Sequence, residues 1–247
     1  MGESARVRRL LYPVPPWDAS TDLELDTVPG DHPDRPGYLL HRTPGGADPS
    51  APTVVYLHGN GSDLATIAPL ADLVTGAGLP FAAVEYPGYG PAGAQRTTER
   101  SVLDATRRGL AHLAAKGVGA DRVVLVGESL GSAVAARMAA EGRGARLVLV
   151  SPFTSMTAMY RRVTRVSRWP ARLVPDRYET DALAARIAVP TLLVHGADDA
   201  LVPPAMSARL VEVIGGARRV LVPGRGHDTL WEPPSRLLEE VVGFVRG

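Results

Sequence analysis

The amino-acid sequence predicts one α/β domain built on a doubly wound, mostly parallel β-sheet. Three observations support this fold class. The chain has 247 residues, a length that suits a single domain of this kind. Hydrophobic residues make up 45% of it, which supplies a large core. Short apolar runs alternate with longer segments of helical periodicity, and this rhythm is typical of a parallel sheet covered by helices on both faces.

The first fifty residues are rich in Pro, Gly and Asp and hold two short strand candidates. Residues 22–28 alternate polar and apolar side chains, and residues 38–41 form a second short apolar run. Alternation is typical of an antiparallel strand that buries only one face. We therefore expect an antiparallel pair of N-terminal strands at the edge of the core sheet.

Six nearly continuous apolar runs follow and predict buried parallel strands. A strand that is covered by helices on both faces loses its polar alternation, because neither face meets water. These runs are residues 53–57, 79–84, 122–126, 146–150, 191–194 and 220–222.

Between these runs, apolar residues recur every three or four positions, which predicts helices with one buried face. No internal repeat, low-complexity tract or linker divides the chain, so we expect one domain over residues 1–247. The predicted helices cover residues 64–74, 102–113, 132–141, 201–214 and 237–245.

Residues 152–187 break the rhythm and are longer than the other connections. They contain helix-compatible stretches near residues 156–166 and 172–173, interrupted by Pro170 and Pro175. Such an insertion lies on the carboxyl side of the sheet, where ligands bind in open α/β folds. We interpret it as a small helical lid with Trp169 and Tyr178 as aromatic anchors. An ordinary crossover is the alternative.

Composition and charge narrow the classes of function. The net charge is +1, whereas a nucleic-acid-binding protein needs a concentrated basic surface. The arginine series in the lid segment is more typical of a solvated helix face than of an anion site. Cysteine is absent, which excludes disulfides, thiolate metal sites and a cysteine nucleophile.

The sequence also lacks the apolar segments that membrane insertion or export requires. No apolar run reaches the roughly 20 residues that span a bilayer. The first residues are broken by prolines and do not form the apolar core of a signal peptide. We expect a cytoplasmic protein with no transmembrane segment.

Residues Gly127-Glu128-Ser129-Leu130-Gly131 fit the pattern Gly-x-Ser-x-Gly and lie between a predicted strand and a predicted helix. That context is the one in which a serine nucleophile sits on a strained turn. A Cβ at either glycine would collide with the neighbouring strand or helix. The helix that begins beside Ser129 also directs its positive end toward a developing oxyanion. We predict that Ser129 is the nucleophile. A glycine-rich turn without a catalytic role is the alternative.

A serine nucleophile needs a general base that an acid orients. His227 is the candidate base, since it follows the last predicted strand in a Gly-flanked loop. Asp198 and Asp199 compete as the acid, because both follow the strand at residues 191–194. We favour Asp199, which begins an Asp-x-x-Val-Pro pattern. Asp198 is typical of a side chain that stabilises its own loop.

The turn His58-Gly59-Asn60-Gly61 follows the first core strand. We predict that the backbone N–H groups of Asn60 and Leu130 form an oxyanion hole. A plain glycine-rich turn is the alternative, and the spacing matches neither a dinucleotide fingerprint nor a P-loop. His58 ends a strand, as His195 does later, and we expect both rings to brace their loops.

These motifs, in this order, resemble the α/β-hydrolase superfamily, in which the triad runs Ser, acid, His along the chain. Residues 50–246 are similar to its small-lid branch of serine aminopeptidase-like and depalmitoylase-like hydrolases. The resemblance implies the α/β-hydrolase fold with a small helical lid. The chain departs from this branch after Gly90. Members of the branch commonly have a serine two residues later, whereas this chain has Ala92. The segments that carry the resemblance are Glu85-Tyr86-Pro87-Gly88-Tyr89-Gly90, Ser151-Pro152-Phe153-Thr154-Ser155 and Asp199–Pro203.

We therefore expect a serine hydrolase that cleaves a carboxylic ester or thioester of a small-molecule acyl substrate, with no metal or organic cofactor. One alternative is an amidase or peptidase, for which Glu85 or Glu128 would supply an acidic pocket. Another is a non-hydrolytic lyase or cyclase of the same fold, and a third is a catalytically silent binding module on that fold. Six residues that follow or flank strand ends are candidates to line an acyl pocket or to be ordinary core: Tyr86, Phe153, Met156, Leu201, Val202 and Leu230.

Overall fold

The computed structural model describes residues 12–14, 16–17, 23–32, 34–164 and 174–247. Within them, eight strands form a single sheet in the spatial order β1-β2-β4-β3-β5-β6-β7-β8. The first two strands pair antiparallel with each other, β2 also pairs antiparallel with β4, and the remaining pairs are parallel. In chain order the strands are β1 (Leu25–His32), β2 (Arg35–Arg42), β3 (Thr53–Leu57), β4 (Phe81–Val84), β5 (Val123–Glu128), β6 (Arg146–Val150), β7 (Thr191–Gly196) and β8 (Arg218–Val222).

Helices connect the parallel strands. Two of them begin at capping boxes, in which Asp63 and Thr98 each accept a hydrogen bond from the backbone three residues on, which satisfies N–H groups that a helix start leaves unpaired. The helices of the described residues are α1 (Leu64–Gly76), α2 (Glu99–Ala115), α3 (Leu130–Ala140), α4 (Met156–Thr164), α5 (Thr180–Leu183), α6 (Pro204–Val213) and α7 (Arg236–Arg246).

Alternate residues of each central strand pack on opposite faces of the sheet. On β5, Val124 and Val126 belong to the cluster formed with α1 and α7, whereas Val123 and Leu125 belong to the cluster formed with α2, α3 and α6. Both faces of the strand are therefore buried, which is the physical reason for its continuous apolar run. The predicted fold class, a doubly wound and mostly parallel sheet with antiparallel N-terminal strands, is confirmed.

The predicted strands and helices correspond to observed ones, with differences at their ends. The helix predicted from residue 201 begins at Pro204, because Leu201 and Val202 direct their N–H groups to the Asp199 carboxylate instead of entering a helix. Strand β7 extends two residues beyond its prediction, to Gly196, and stays paired with β8.

In the residues that the structure describes, the predicted lid segment contains α4, α5 and a 3₁₀ turn at Ala184–Arg186. Its second half is tied to the start of α2, where Glu99 accepts hydrogen bonds from the N–H groups of Arg177 and Tyr178. The Tyr178 hydroxyl also lies 3.0 Å from that of Tyr12. Residues 165–173, which include Trp169 and Pro170, lie outside the described residues, and the lid stays a prediction.

Among the described residues, no helix is both long enough and apolar enough to cross a membrane.

Candidate active site

The Ser129 turn joins β5 to α3 with a strained backbone. Ser129 has φ 50° and ψ −114°, a conformation that side-chain-bearing residues rarely adopt and that costs on the order of 1–3 kcal/mol. Hydrogen bonds on both sides hold it. The Ser129 N–H donates to the Val150 carbonyl at 2.9 Å, and the Ser129 carbonyl accepts from Ser132 Oγ at 2.6 Å.

The two glycines of this turn are required by close approach. A Cβ at Gly127 would overlap the Gly131 carbonyl and lie 2.7 Å from the Ala135 Cβ. A Cβ at Gly131 would overlap the Leu57 carbonyl at the end of β3. The predicted steric role of both glycines is confirmed, and the side chain of Ser129 is thereby held at the carboxyl edge of the sheet.

Ser129, His227 and Asp199 lie in one hydrogen-bonded chain. His227 Nε2 is 3.1 Å from Ser129 Oγ, and His227 Nδ1 is 2.8 Å from Asp199 Oδ2. When Nδ1 carries the proton and donates to the carboxylate, Nε2 presents a lone pair to the serine hydroxyl. The structure thus brings together the three residues predicted to be catalytic, from three separate loops.

Asp199 is held by donors from both sides. Its Oδ1 accepts from the N–H groups of Leu201 and Val202, at 3.0 and 2.8 Å. Its Oδ2 accepts from His227 and lies 3.2 Å from His195 Nε2. His195 Nε2 is also 2.9 Å from the Val202 carbonyl, and because a carbonyl only accepts, this nitrogen carries a proton.

Asp198, the competing acid, differs from Asp199 in its exposure. Its side chain is exposed, whereas Asp199 is 5% exposed. Burial thus separates the two aspartates, and the buried one is Asp199, which the sequence pattern favoured as the acid. His195 was predicted only to brace its loop, and its contact with Asp199 was missed. Its position four residues before the acid was the one available signal.

Burial and hydrogen bonding compete in setting the pKa values of the acid and the base. Burial acts to raise the pKa of Asp199, but hydrogen bonds from His195, His227 and the Val202 N–H hold it well below its ordinary value. Burial acts to lower the pKa of His227, but the Asp199 carboxylate raises it above 6.5 overall. The negative charges of Asp228 and Glu128 add to this rise. The Asp199 carboxylate therefore stabilises the imidazolium that forms when His227 takes up a proton.

The turn after β3 lies directly against the nucleophile. A Cβ at Gly59 would be 3.6 Å from the Ser129 Cβ. Tyr89 holds Asn60 in place, because its hydroxyl donates to the Asn60 side-chain oxygen at 2.6 Å. Leu130 is the first residue of α3, where backbone N–H groups have no partner within the helix. The two N–H groups predicted to form the oxyanion hole therefore belong to segments that flank Ser129.

His58 braces this turn from inside the core. The ring is fully buried, Nδ1 donates to the Gly59 carbonyl at 2.8 Å, and Nε2 lies 3.1 Å from Glu85 Oε1. The ring of Tyr86 stacks on it with centroids 3.9 Å apart. The expectation that His58 supports a loop is confirmed, and Tyr86 takes part in the same packing.

The six predicted pocket residues differ in exposure. Tyr86 is fully buried and donates its hydroxyl to the His58 carbonyl at 3.3 Å, which matches the ordinary-core alternative. Leu201 is 49% exposed, beside the loop of the acid. The other four, Phe153, Met156, Val202 and Leu230, are all buried, and their contact with an acyl chain stays a prediction.

Backbone hydrogen bonds join the loops that carry the three residues. Ser129 N–H donates to Val150 O, and Ser151 N–H donates to Val194 O, both at 2.9 Å. On the other side of β7, Ala197 N–H donates to Val222 O and Asp198 N–H donates to Arg225 O, at 2.9 and 3.0 Å. These four bonds, here named the edge ladder, link the ends of β5, β6, β7 and β8 by main chain alone.

Glu128 and Trp231 form a contact that the sequence did not indicate. The indole N–H of Trp231 donates to Glu128 Oε2 at 2.9 Å, and the Tyr56 hydroxyl donates to the same oxygen. This contact ties the strand end before Ser129 to the chain segment just after His227.

Comparison with protein families gives two overlapping matches. Residues 48–185 match the family described as serine aminopeptidase, S33, and residues 151–244 match the family described as TAP-like protein. Among curated proteins, the uncharacterized protein Rv2307c of Mycobacterium tuberculosis (strain ATCC 25618 / H37Rv) is 33% identical over 236 residues. That similarity covers 90% of this chain and 80% of the relative.

Among solved structures, a 2,6-dihydroxy-pseudo-oxynicotine hydrolase superposes with a TM-score of 0.73 and 23% identity, over 92% of this chain and 68% of that one. The esterase EaEST from Exiguobacterium antarcticum superposes with a TM-score of 0.71 and 16% identity, over 91% of this chain and 100% of that one. At these identities the likeness is one of fold.

Proposed function

This chain belongs to the serine aminopeptidase S33 family of the α/β-hydrolase superfamily, and from that membership we propose that it is a serine hydrolase. In this proposal it cleaves a carboxylic ester or thioester of a small-molecule substrate through an acyl-enzyme. Ser129 is the nucleophile, His227 the general base and Asp199 the acid that orients the base.

One observation carries the proposal: the unbroken hydrogen-bonded chain from Ser129 Oγ through His227 to Asp199, with distances of 3.1 and 2.8 Å. A serine hydroxyl is a weak nucleophile until a neighbouring base removes its proton. The lowered pKa of Asp199 keeps that residue ionised, so that it holds the proton of His227 on Nδ1 and leaves Nε2 free to accept.

Acylation begins when Ser129 Oγ attacks the carbonyl carbon and its proton passes to His227 Nε2. The carbonyl oxygen becomes an oxyanion, to which the N–H groups of Asn60 and Leu130 donate; one such donor contributes about 10²–10³-fold in rate. The bond to the leaving oxygen or sulfur then breaks as His227 returns the proton to it. The acyl group remains on Ser129 as an ester.

Deacylation repeats these steps with water. His227 removes a proton from water, the hydroxide attacks the acyl carbon, and the bond to Ser129 Oγ breaks as the proton returns to that oxygen. The products are a carboxylic acid and the free enzyme. The charge on Asp199 stabilises the imidazolium that forms twice in each cycle.

Glu85 and Glu128 are both engaged in hydrogen bonds within the protein. This favours an ester or thioester substrate over a peptide with a free amino terminus. Glu85 is 1% exposed, accepts from the N–H groups of Leu64 and Tyr86, and lies 3.1 Å from His58 Nε2. Glu128 accepts from Tyr56 and Trp231. Neither carboxylate is left over to bind a substrate ammonium group, which was the basis of the peptidase alternative.

The proposal is tested with nitrophenyl esters from acetyl to palmitoyl, thioesters of the same acyl chains, and aminoacyl nitroanilides. We expect turnover of esters and thioesters that Ser129→Ala reduces by roughly 10⁴-fold or more. Ser50→Ala, on an exposed turn, is the matched control and should behave like wild type. A fluorophosphonate probe should label wild type and Ser50→Ala, and should not label Ser129→Ala.

Two results would contradict the proposal. Wild-type turnover in Ser129→Ala would show that Ser129 is not the nucleophile. A higher kcat/KM for aminoacyl nitroanilides than for any ester or thioester would replace the substrate class with amides.

A further inference from the structure

Glu128 is an acidic side chain that the acyl-transfer steps above do not use, although it directly precedes the nucleophile. It is the last residue of β5, and its Oε2 accepts two hydrogen bonds from distant parts of the chain. One comes from Tyr56 on β3, and the other comes from the Trp231 indole N–H at 2.9 Å. The rings of Tyr56 and Trp231 meet edge to face at 6.1 Å, so the three side chains form one cluster.

The donors of this cluster fit an ionised carboxylate. An indole N–H can only donate, and the tyrosine hydroxyl donates to the same oxygen. Hydrogen bonds to an ionised acceptor are roughly twice as strong as those between neutral groups. Burial raises the pKa of Glu128 above its ordinary value, and the two hydrogen bonds and the neighbouring His227 limit that rise.

Trp231 connects this carboxylate to the base. It lies four residues after His227, in the segment that joins β8 to α7. The same segment is held at its other end by Gly226 N–H, which donates to Thr229 Oγ1 at 2.9 Å. His227 therefore sits between a local turn and a tryptophan that is fixed to the strand carrying the nucleophile.

From these contacts we infer that Glu128 is a positioning residue for His227: it holds the loop of the base through Trp231 and stabilises the imidazolium by its negative charge. The inference rests on the proposed function and deepens it, since it assigns to the same site a second carboxylate. Unlike Asp199, this carboxylate acts without touching the imidazole.

Within the described part of the chain, three carboxylates act on His227. Asp199 contacts its Nδ1 from the loop after β7, Asp228 is its neighbour in the chain, and Glu128 approaches from the end of β5. Negative charge from each favours the protonated ring. Removing the charge of Glu128 must therefore lower the pKa of His227, which shifts the acid limb of kcat/KM to lower pH.

Glu128→Gln tests the charge, because the amide keeps the size of the side chain and an oxygen that can accept from Trp231. We expect the pKa of His227, followed by NMR titration of its ring in the substrate-free protein, to fall by about 0.5–1 unit. This is less than the 1–3 units that an opposite charge within about 4–6 Å produces. Glu232→Gln is the matched control, since Glu232 is an exposed carboxylate of the same segment, paired with Arg225. It should leave this pKa unchanged.

Trp231→Phe tests the hydrogen bond, because it removes the donor and keeps an aromatic ring beside Tyr56. We expect kcat for the best ester to fall about three- to tenfold with KM within twofold of wild type. In the Glu128→Gln background the same change should cost less, because coupled residues are not additive. If Glu128→Gln does not fold, the kcat of Trp231→Phe alone decides whether the inference holds.

An unchanged pKa of His227 in folded Glu128→Gln, or an unchanged kcat in Trp231→Phe, would overturn the inference. The NMR titration needs no substrate, so its result separates the two proposals. If Ser129 does not react with esters or fluorophosphonate, the proposed function is wrong. If the pKa of His227 does not shift in Glu128→Gln, only the role of Glu128 is wrong.

Discussion

At the scale of single residues, the hydrogen-bonded contact of Ser129, Asp199 and His227 was predictable because each of them lies in a short motif of its own. Ser129 stands between two glycines that its turn requires, and Asp199 begins a loop pattern that follows a buried strand. The cluster of Glu128, Tyr56 and Trp231 was not predictable, because no motif or periodicity relates two residues 103 positions apart. Such pairs are defined only by the folded chain.

We predict that Asp199, and not Asp198, is the acid that orients His227. Asp199→Asn should reduce kcat by about 10³–10⁴-fold, because an amide no longer selects the imidazole tautomer that leaves Nε2 free. Asp198→Asn should change kcat less than threefold, since the side chain is exposed. Steady-state kinetics of both variants on one ester provides the measurement, and a larger loss in Asp198→Asn would reverse the assignment of the acid.

At the scale of elements, the buried strands were predictable to within a few residues, because a strand covered on both faces is apolar at nearly every position. The start of α6 was not predictable from apolar periodicity. Leu201 and Val202 continue the helical pattern, but the Asp199 carboxylate binds their N–H groups and keeps them in a loop. The Asp199 side chain thus overrides the local helical preference.

The packing of α3 against β3 gives a prediction at the element scale. Gly131→Ala introduces a methyl group that overlaps the Leu57 carbonyl, and moving α3 away would displace Ser129. We expect a loss of about 3 kcal/mol or more in the free energy of unfolding. Fluorophosphonate labelling of Ser129 should slow at least tenfold in whatever protein folds.

Gly243→Ala is the control for this change, since Gly243 also lies in a helix but has no atom within 4 Å of the added methyl group. It should raise the free energy of unfolding by up to about 1 kcal/mol, because alanine restricts the unfolded chain and favours the helix. Urea unfolding measures both variants. Equal stability of the two would contradict the close approach of α3 and β3.

At the scale of the whole molecule, the fold class and the position of the antiparallel pair at one edge were predictable, whereas the strand order was not. The order β2-β4-β3-β5 places β3 inside the sheet, between strands that follow it in the chain. Pairing of this kind depends on contacts between distant segments. Apolar runs report the burial of a strand and carry no information about its neighbours.

The prediction of one domain over residues 1–247 is testable by cooperativity. Val241 on α7 is 1% exposed and packs in the same core cluster as α1. Val241→Ala should lower the free energy of unfolding by about 1.5–3 kcal/mol, from two lost methyl groups and the remaining cavity. Unfolding followed by tryptophan fluorescence and by far-UV circular dichroism should shift together, as for a two-state domain.

Val242→Ala is the neighbouring control, and because Val242 is only partly buried the loss should be smaller. The kcat of both variants at 25 °C should stay within twofold of wild type. Two separate transitions, with only one of them shifted by Val241→Ala, would divide the chain into independently unfolding parts.

The edge ladder has a consequence for how this site can change over evolution or in the laboratory. Its four hydrogen bonds join main-chain atoms, so this part of the support for the loops of Ser129, Asp199 and His227 does not depend on their exposed side chains. A residue such as the half-exposed Leu201 can therefore be exchanged without resetting the acid–base distance. In the proposed hydrolase, we expect single substitutions at such positions to change substrate preference and to leave the acid–base pair in place.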